Sequence, residues 1–164
     1  MNVVTAEITT LDVDAIVNAA NEGLVRGGGV CGAIFRAAGA QLVEACRAVA
    51  PCPTGEARIT PGFSAKARWI VHAVGPIWRG GSQGEAALLA SAYRAALDAA
   101  AGADARSIAF PAISTGIYGY PSDAAADVAI AAVTSWLDAA KERLDVIVCA
   151  FNEADAQRYR ARLG

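Results

Sequence analysis

Apolar residues along this chain fall into two spacings, and the two alternate. Short continuous runs at 15–18, 69–74 and 145–151 read as strands buried on both faces. Between them lie longer stretches with apolar side chains three and four apart, the period of a helix packed along one face. The pattern predicts strands at 3–8 and 15–18, a helix from about Val30 to Gly39, and a second helical stretch over 41–50. The cluster Pro51-Cys52-Pro53-Thr54-Gly55 stops that stretch. Residues 58–60 and 68–74 are β-rich, and 85–101 forms a helix through Leu88, Leu89, Ala92, Tyr93, Ala96 and Leu97. A strand at 107–113 comes next. Ser122 is then the expected N-cap of a helix to about Leu144, with Ala129, Val133, Trp136, Leu137 and Ala140 on one face. The last strand is 145–150 and the last helix 153–163. Apolar strands joined by helices predict an α/β domain with a mostly parallel sheet covered on both faces. No repeat or linker breaks the pattern, so residues 1–164 are expected to form one domain.

Composition changes this picture little. Apolar residues make up 55% of the chain, a figure raised by alanine-rich helices. The apolar runs are strand length, far short of the ~20 residues needed to span a bilayer. The start, Met1-Asn2-Val3-Val4, has neither a basic n-region nor an apolar h-region, which predicts a cytoplasmic protein. Cys31, Cys46, Cys52 and Cys149 show no CxxC pair and no zinc spacing with the single histidine, His72. Free thiols and no bound metal are therefore expected. The net charge of −2 argues against broad capture of a nucleic-acid backbone. The basic run Arg158-Tyr159-Arg160-Ala161-Arg162 reads as the solvated end of a helix whose dipole favours cations there. His72, without a paired acid in sequence, reads as a hydrogen-bonded structural residue, and Trp69, Trp78 and Trp136 as packing.

Two glycine loops carry the candidate chemistry. The first joins Asn18-Ala19-Ala20-Asn21 to Arg26-Gly27-Gly28-Gly29-Val30-Cys31-Gly32, leaving a buried strand and entering a helix. Backbone N–H groups and the positive end of the helix dipole suit such a turn to a pyrophosphate. Gly27, Gly29 and Gly32 also satisfy the dinucleotide pattern G-x-G-x-x-G. That pattern requires a following strand ending in an acid, and here a second helix closed by Pro51 and Pro53 follows instead. No Gly-Lys-Ser/Thr occurs, which excludes a P-loop. The second loop, Pro111-Ala112-Ile113-Ser114-Thr115-Gly116-Ile117-Tyr118-Gly119-Tyr120-Pro121, also lies between a strand and a helix. Ligands collect outside the carboxyl ends of parallel strands, so both loops would face one crevice. Two tight turns plugged by aromatic side chains would leave the same signature.

The segments Val13-Asp14-Ala15-Ile16-Val17-Asn18-Ala19-Ala20-Asn21, the Gly27 to Gly32 loop, His72-Ala73-Val74-Gly75-Pro76 and the loop from Ile113 to Pro121 resemble a macrodomain. They are most similar to the MacroD-type branch, which includes bacterial O-acetyl-ADP-ribose deacetylases. The resemblance runs from Ala6-Glu7-Ile8-Thr9 to the C-terminal helix and implies a three-layer α/β/α fold with a mixed sheet. It further implies a monomer, without cofactor or metal, whose partners are ADP-ribose and ADP-ribosylated proteins or O-acetyl-ADP-ribose. Carried over by position, Glu7 and the Ile8 backbone would hold adenine, with Phe151 packed against it and Asn152 beside it. Asn18 belongs to the ligand-binding segment, and Asn21 would orient the distal ribose. Gly27, Gly28, Gly29 and Val30 would line the distal ribose and diphosphate. Ser114, Thr115, Gly116, Ile117 and Tyr118 would wrap the diphosphate from the other side. Asn21, Gly28 and Cys31 mark the catalytic position.

Ala6 and Glu7 stand for the family's glycine and aspartate and Tyr118 for its phenylalanine. In and after the first loop, Arg26 replaces a glycine, Cys31 the usual aspartate and Phe35 a histidine. A neutral thiol is a poor general base near pH 7. The alphaviral macrodomains resemble this chain at the same Gly-Val-Cys, and that group includes enzymes that remove ADP-ribose from proteins. Two functions are thus expected to compete: an ADP-ribosyl-ester hydrolase, with substrate phosphate positioning the water, and a non-catalytic ADP-ribose reader.

Overall fold

The computed structural model describes residues 1–141 and 143–164. Strands β1 (Asn2–Thr5), β2 (Ala15–Ala19), β3 (Ala57–Pro61), β4 (Trp69–Ala73), β5 (Ser107–Phe110) and β6 (Asp145–Ala150) form one sheet. Their order is β1-β6-β5-β2-β4-β3, parallel at every pairing except β3 with β4. The helices are α1 (Gly29–Ala38), α2 (Gln41–Val49), α3 (Glu85–Gly102), α4 (Ser122–Ala139) and α5 (Glu153–Leu163).

Side chains of successive strand residues point to opposite faces, and here both faces are apolar. Ala15, Val17, Val71, Ala73, Ile108, Phe110, Val146 and Val148 meet α3, α4 and Tyr159 of α5 on one face. Ile16, Ile70, Ala109 and Cys149 meet Ile34, Phe35, Leu42 and Cys46 of α1 and α2 on the other. This gives the three layers of a mixed, mostly parallel α/β/α domain. Alanines at 92, 96 and 100 of α3 and at 125, 129 and 132 of α4 are buried in the first core, where small side chains permit close helix approach.

Five parallel strands place the ends of β1, β6, β5, β2 and β4 on one carboxyl rim. The chain leaving β2 enters α1 on one face, whereas the chain leaving the adjacent β5 enters α4 on the other. Their loops diverge, and a crevice opens between them.

Four boundaries differ from the sequence pattern. β1 stops at Thr5, and Ile8 begins a 3-10 turn (Ile8–Thr10) that buries its side chain against the α1 face. β5 ends at Phe110, since Pro111 cannot donate to a ladder. Pro121, not Ser122, is the N-cap of α4, and no side chain caps that end. The helix closes at Ala139 with Ala140 as C-cap, short of Leu144, because the apolar period runs past a stop that no glycine marks. Residue 142 of the predicted span lies outside the described residues.

Candidate functional site

The first loop is closed by its own asparagine. Asn21 Nδ2 donates to the Val25 carbonyl at 2.9 Å, and the Val25 N–H donates back to Asn21 Oδ1 at 3.0 Å. Leu24 sits inside the loop at φ 51°, buried among the α1-side core. Past this clamp the Gly27 N–H donates to Cys31 Sγ at 3.3 Å. Cys31 lies in the first turn of α1 and is buried. Gly28 is the N-cap and supplies no side chain, while Gly29 adopts φ 56°, a left-handed conformation that favours glycine. A Cβ at Gly28 or Gly29 would meet nothing within 4 Å, so this edge is open space. The first-turn N–H groups have no intrahelical acceptor and suit an anion.

The second loop is strained where it turns. Ser114 adopts φ 68°, a conformation costing a non-glycine residue on the order of 1–3 kcal/mol. The Tyr120 N–H returns to the Ser114 carbonyl at 2.9 Å, and Gly119, at φ 72°, donates to Gly116 at 3.0 Å. Thr115 Oγ1 donates to the Ala112 carbonyl at 3.0 Å. Gly75, at the end of β4, makes this turn possible: a Cβ there would lie 2.2 Å from Ser114 Oγ. The Trp78 N–H bonds the Tyr118 carbonyl at 2.8 Å, and its ring packs on Tyr120. Burial, with the Glu22 carboxylate close by, raises the Tyr118 phenol above its ordinary range.

At the far end of the rim stand the residues after β1 and β6. Glu7 is exposed and its Oε1 accepts Thr9 Oγ1 at 3.0 Å. Cys149 Sγ donates to the Ala6 carbonyl at 3.1 Å, tying the two strand ends together. Phe151 beside them is 87% exposed. Asn152 has another task, since its Oδ1 accepts the Asp155 N–H at 2.9 Å and caps α5. A cavity of about 230 Å³ lies behind Phe151, between Thr115, Gly116, Ser122 and Asp155.

A Macro domain family model matches residues 17–129. The chain belongs to the macro domain family. A macro domain-containing protein of Ralstonia nicotianae is 55% identical over 158 residues, covering 96% of this chain and 91% of the relative. The bovine ADP-ribose glycohydrolase MACROD1 is 49% identical over 96% of this macrodomain, which spans 49% of that longer protein. Among solved structures, a Trypanosoma brucei macrodomain in complex with ADP-ribose superposes with a TM-score of 0.91 at 37% identity, covering 99% of this chain and 68% of that one. An Oceanobacillus iheyensis macrodomain with ADP gives 0.91 at 40% identity over 98% and 88%.

One residue of the motif is turned away from the macrodomain's crevice. Asn18 was expected at the ligand, yet it is buried on β2 directly beside His72 of β4. Its Nδ2 donates to His72 Nδ1 at 3.1 Å, leaving the ring proton on Nε2 to donate to Thr60 Oγ1 at 3.0 Å. Burial lowers the His72 pKa to about 4, so the ring is neutral, and burial pushes the nearby Cys46 thiol up to about 11. All four cysteines are free and buried, and Phe35 is a core residue. Arg158 and Arg162 of the basic run reach Asp123 and Asp127, joining α5 to α4. Among the described residues, no group of three or more His, Cys, Asp or Glu is placed to hold a metal ion. No helix among them is long and apolar enough to cross a membrane.

The pattern of exposed apolar side chains adds residues that the motifs missed. Phe151 (87%), Ile117 (96%), Val25 (63%) and Ile77 (46%) are the most exposed large apolar side chains described, and each follows a different strand of the rim. Val25 and Ile77 carry no motif. In sequence they look like core.

Proposed function

We propose that this macrodomain binds ADP-ribose along the carboxyl rim and hydrolyses its ester conjugates. The substrates are mono-ADP-ribosylated acidic side chains or O-acetyl-ADP-ribose. The observation that carries the reading is the order of loops. Crossing from β1 through β6 and β5 to β2 meets Glu7 and Ile8, then Phe151, then 114–118, then Asn21 and the Gly28 edge. That is the order of base, aromatic platform, diphosphate cradle and distal sugar. Four strands at ~4.8 Å spacing extend this row over about 14 Å, fitting an extended nucleotide. The ADP-ribose glycohydrolase name of the bovine relative supports hydrolysis.

The chain's own groups would orient rather than ionise. N–H groups of Gly28, Gly29 and Val30 face the diphosphate from one side and the Ser114–Tyr118 turn from the other. Asn21 retains one N–H and one lone pair beyond its loop clamp, and these can meet the distal ribose. A substrate phosphate oxygen then holds the water, and positioning supplies much of the acceleration. Where the ester is made at the anomeric carbon, water attacks either that carbon, expelling the carboxylate, or the ester carbonyl, expelling the sugar hydroxyl. An acyl group on another ribose hydroxyl leaves only by the carbonyl route. Both routes yield free acid and ADP-ribose.

A second reading, a non-catalytic ADP-ribose module, is favoured by Cys31, whose sulfur accepts the Gly27 N–H where a carboxylate would activate water. Incubation with a protein carrying labelled ADP-ribose on glutamate tests both. Release of label, with ¹⁸O from water in ADP-ribose or in the acid, establishes hydrolysis and its route. Tight binding without release leaves the reader. Failure to bind ADP-ribose by calorimetry removes both.

A further inference from the structure

Next to β2 on the rim stands β4, and its loop into α3 borders a groove of about 580 Å³. The groove is lined by Glu22, Thr54, Ile77, Arg79, Leu88 and Tyr118, with Pro76, Gln83 and Glu85 completing it. Of these, only Tyr118 belongs to the nucleotide-binding set. From the geometry we infer that this groove holds the polypeptide segment that flanks a protein-linked ADP-ribose. The inference rests on the nucleotide orientation proposed above.

The groove continues the proposed cleft on its distal-ribose side. Glu22 directly follows Asn21, and Tyr118, which lines the groove, belongs to the loop proposed to hold the diphosphate. A group attached at the distal ribose, past β2 in the row, therefore projects toward the β4 loop. An acetyl group would leave most of 580 Å³ unfilled, whereas a peptide would occupy it.

The groove is also built before any partner arrives. Buried Glu85 accepts the N–H groups of Arg79 at 3.0 Å, Gly81 at 2.8 Å and Gln83 at 2.6 Å, fixing the loop around its carboxylate. Burial raises that carboxyl's pKa, but these donors outweigh it and hold it below the ordinary value. The opposite wall is pinned by Glu22 Oε1, which accepts the Thr54 N–H at 3.1 Å and Thr54 Oγ1 at 2.8 Å. On these fixed walls Ile77 stays 46% exposed, and Val25 of the neighbouring loop 63%. Arg79 forms no ion pair among the described residues. Exposed apolar side chains beside a polar wall with a free guanidinium suit an extended peptide, which offers side chains to one and carbonyls to the other.

The test is a binding comparison that needs no turnover. The probes are free ADP-ribose and a synthetic decapeptide carrying ADP-ribose through an amide-linked glutamine, which resists ester hydrolysis. The wild type should bind the linked peptide about tenfold more tightly than free ADP-ribose, the scale of burying one aliphatic side chain. Ile77→Asp should remove that advantage and leave the affinity for free ADP-ribose unchanged, which also reports that the variant folds. Arg79→Ser, at an exposed position, should lose about threefold on the peptide alone. Equal affinity of the wild type for peptide and free ADP-ribose overturns the groove assignment and leaves the proposed function standing. So does an equal loss on both probes in the two variants. A wild type that binds neither probe overturns both.

Discussion

The MacroD resemblance puts Cys31 where a carboxylate would activate water, and its sulfur is already engaged by the Gly27 N–H at 3.3 Å. A buried thiol holding a loop amide is a brace. Cys31→Ala should therefore keep most hydrolytic activity, and Cys31→Asp should raise it by adding the missing base. Asn21 behaves in the opposite way. The resemblance points to a ribose contact, whereas the structure shows its amide also closing the 21–25 turn through two hydrogen bonds. Asn21→Ala should lower kcat on the order of a hundredfold, the scale of a 1 Å misplacement, and should weaken ADP-ribose binding as well. Steady-state kinetics and calorimetry on the two alanine variants check this. A dead Cys31→Ala beside an active Asn21→Ala would point to thiol chemistry.

Loops are legible at the level of elements only in part. The strand-loop-helix units around both glycine loops can be read because parallel strands give apolar runs and helices give a 3.6 period. The partnership between Gly75 and Ser114 cannot, since it joins residues 39 apart through a turn whose shape no local pattern fixes. The Asn18–His72 pair is hidden in the same way and appears only with the β2–β4 register. Gly75→Ala should disrupt the second loop, because its Cβ would meet Ser114 Oγ at 2.2 Å and Ile113 Cγ2 at 2.6 Å. Adding Ser114→Gly removes the first clash and relieves a left-handed serine, so the double variant should recover part of the lost melting temperature and ADP-ribose affinity. Ser114→Gly alone should stabilise by about 0.5–1 kcal/mol, since the relieved left-handed strain exceeds the unfolded chain's added freedom.

For the whole molecule, His72 couples stability to pH because it links β2, β3, β4 and α2 from inside one core. Its pKa falls from 6.5 to about 4 on burial. The unfolded chain therefore takes up a proton below pH 6.5 that the native ring refuses. The stabilisation is full above 6.5 and is lost as the pH falls toward 4, about 3 kcal/mol in all. Urea midpoints at pH 7, 5.5 and 4 should show this fall. In His72→Gln the slope over that window should be shallower, although the variant starts lower. The three-layer α/β arrangement was legible in the sequence, because it follows from apolar runs alternating with amphipathic helices. The end of α4 was not, because alanine repeats carry no stop.

The parallel sheet has a practical corollary. Lys66 precedes β4 and Lys141 precedes β6, and both are exposed on the amino rim, opposite the glycine loops. They are the only lysines in the chain. Amine coupling through them would fasten the molecule to a bead or sensor chip by its back, with the crevice and the groove beside it facing the sample.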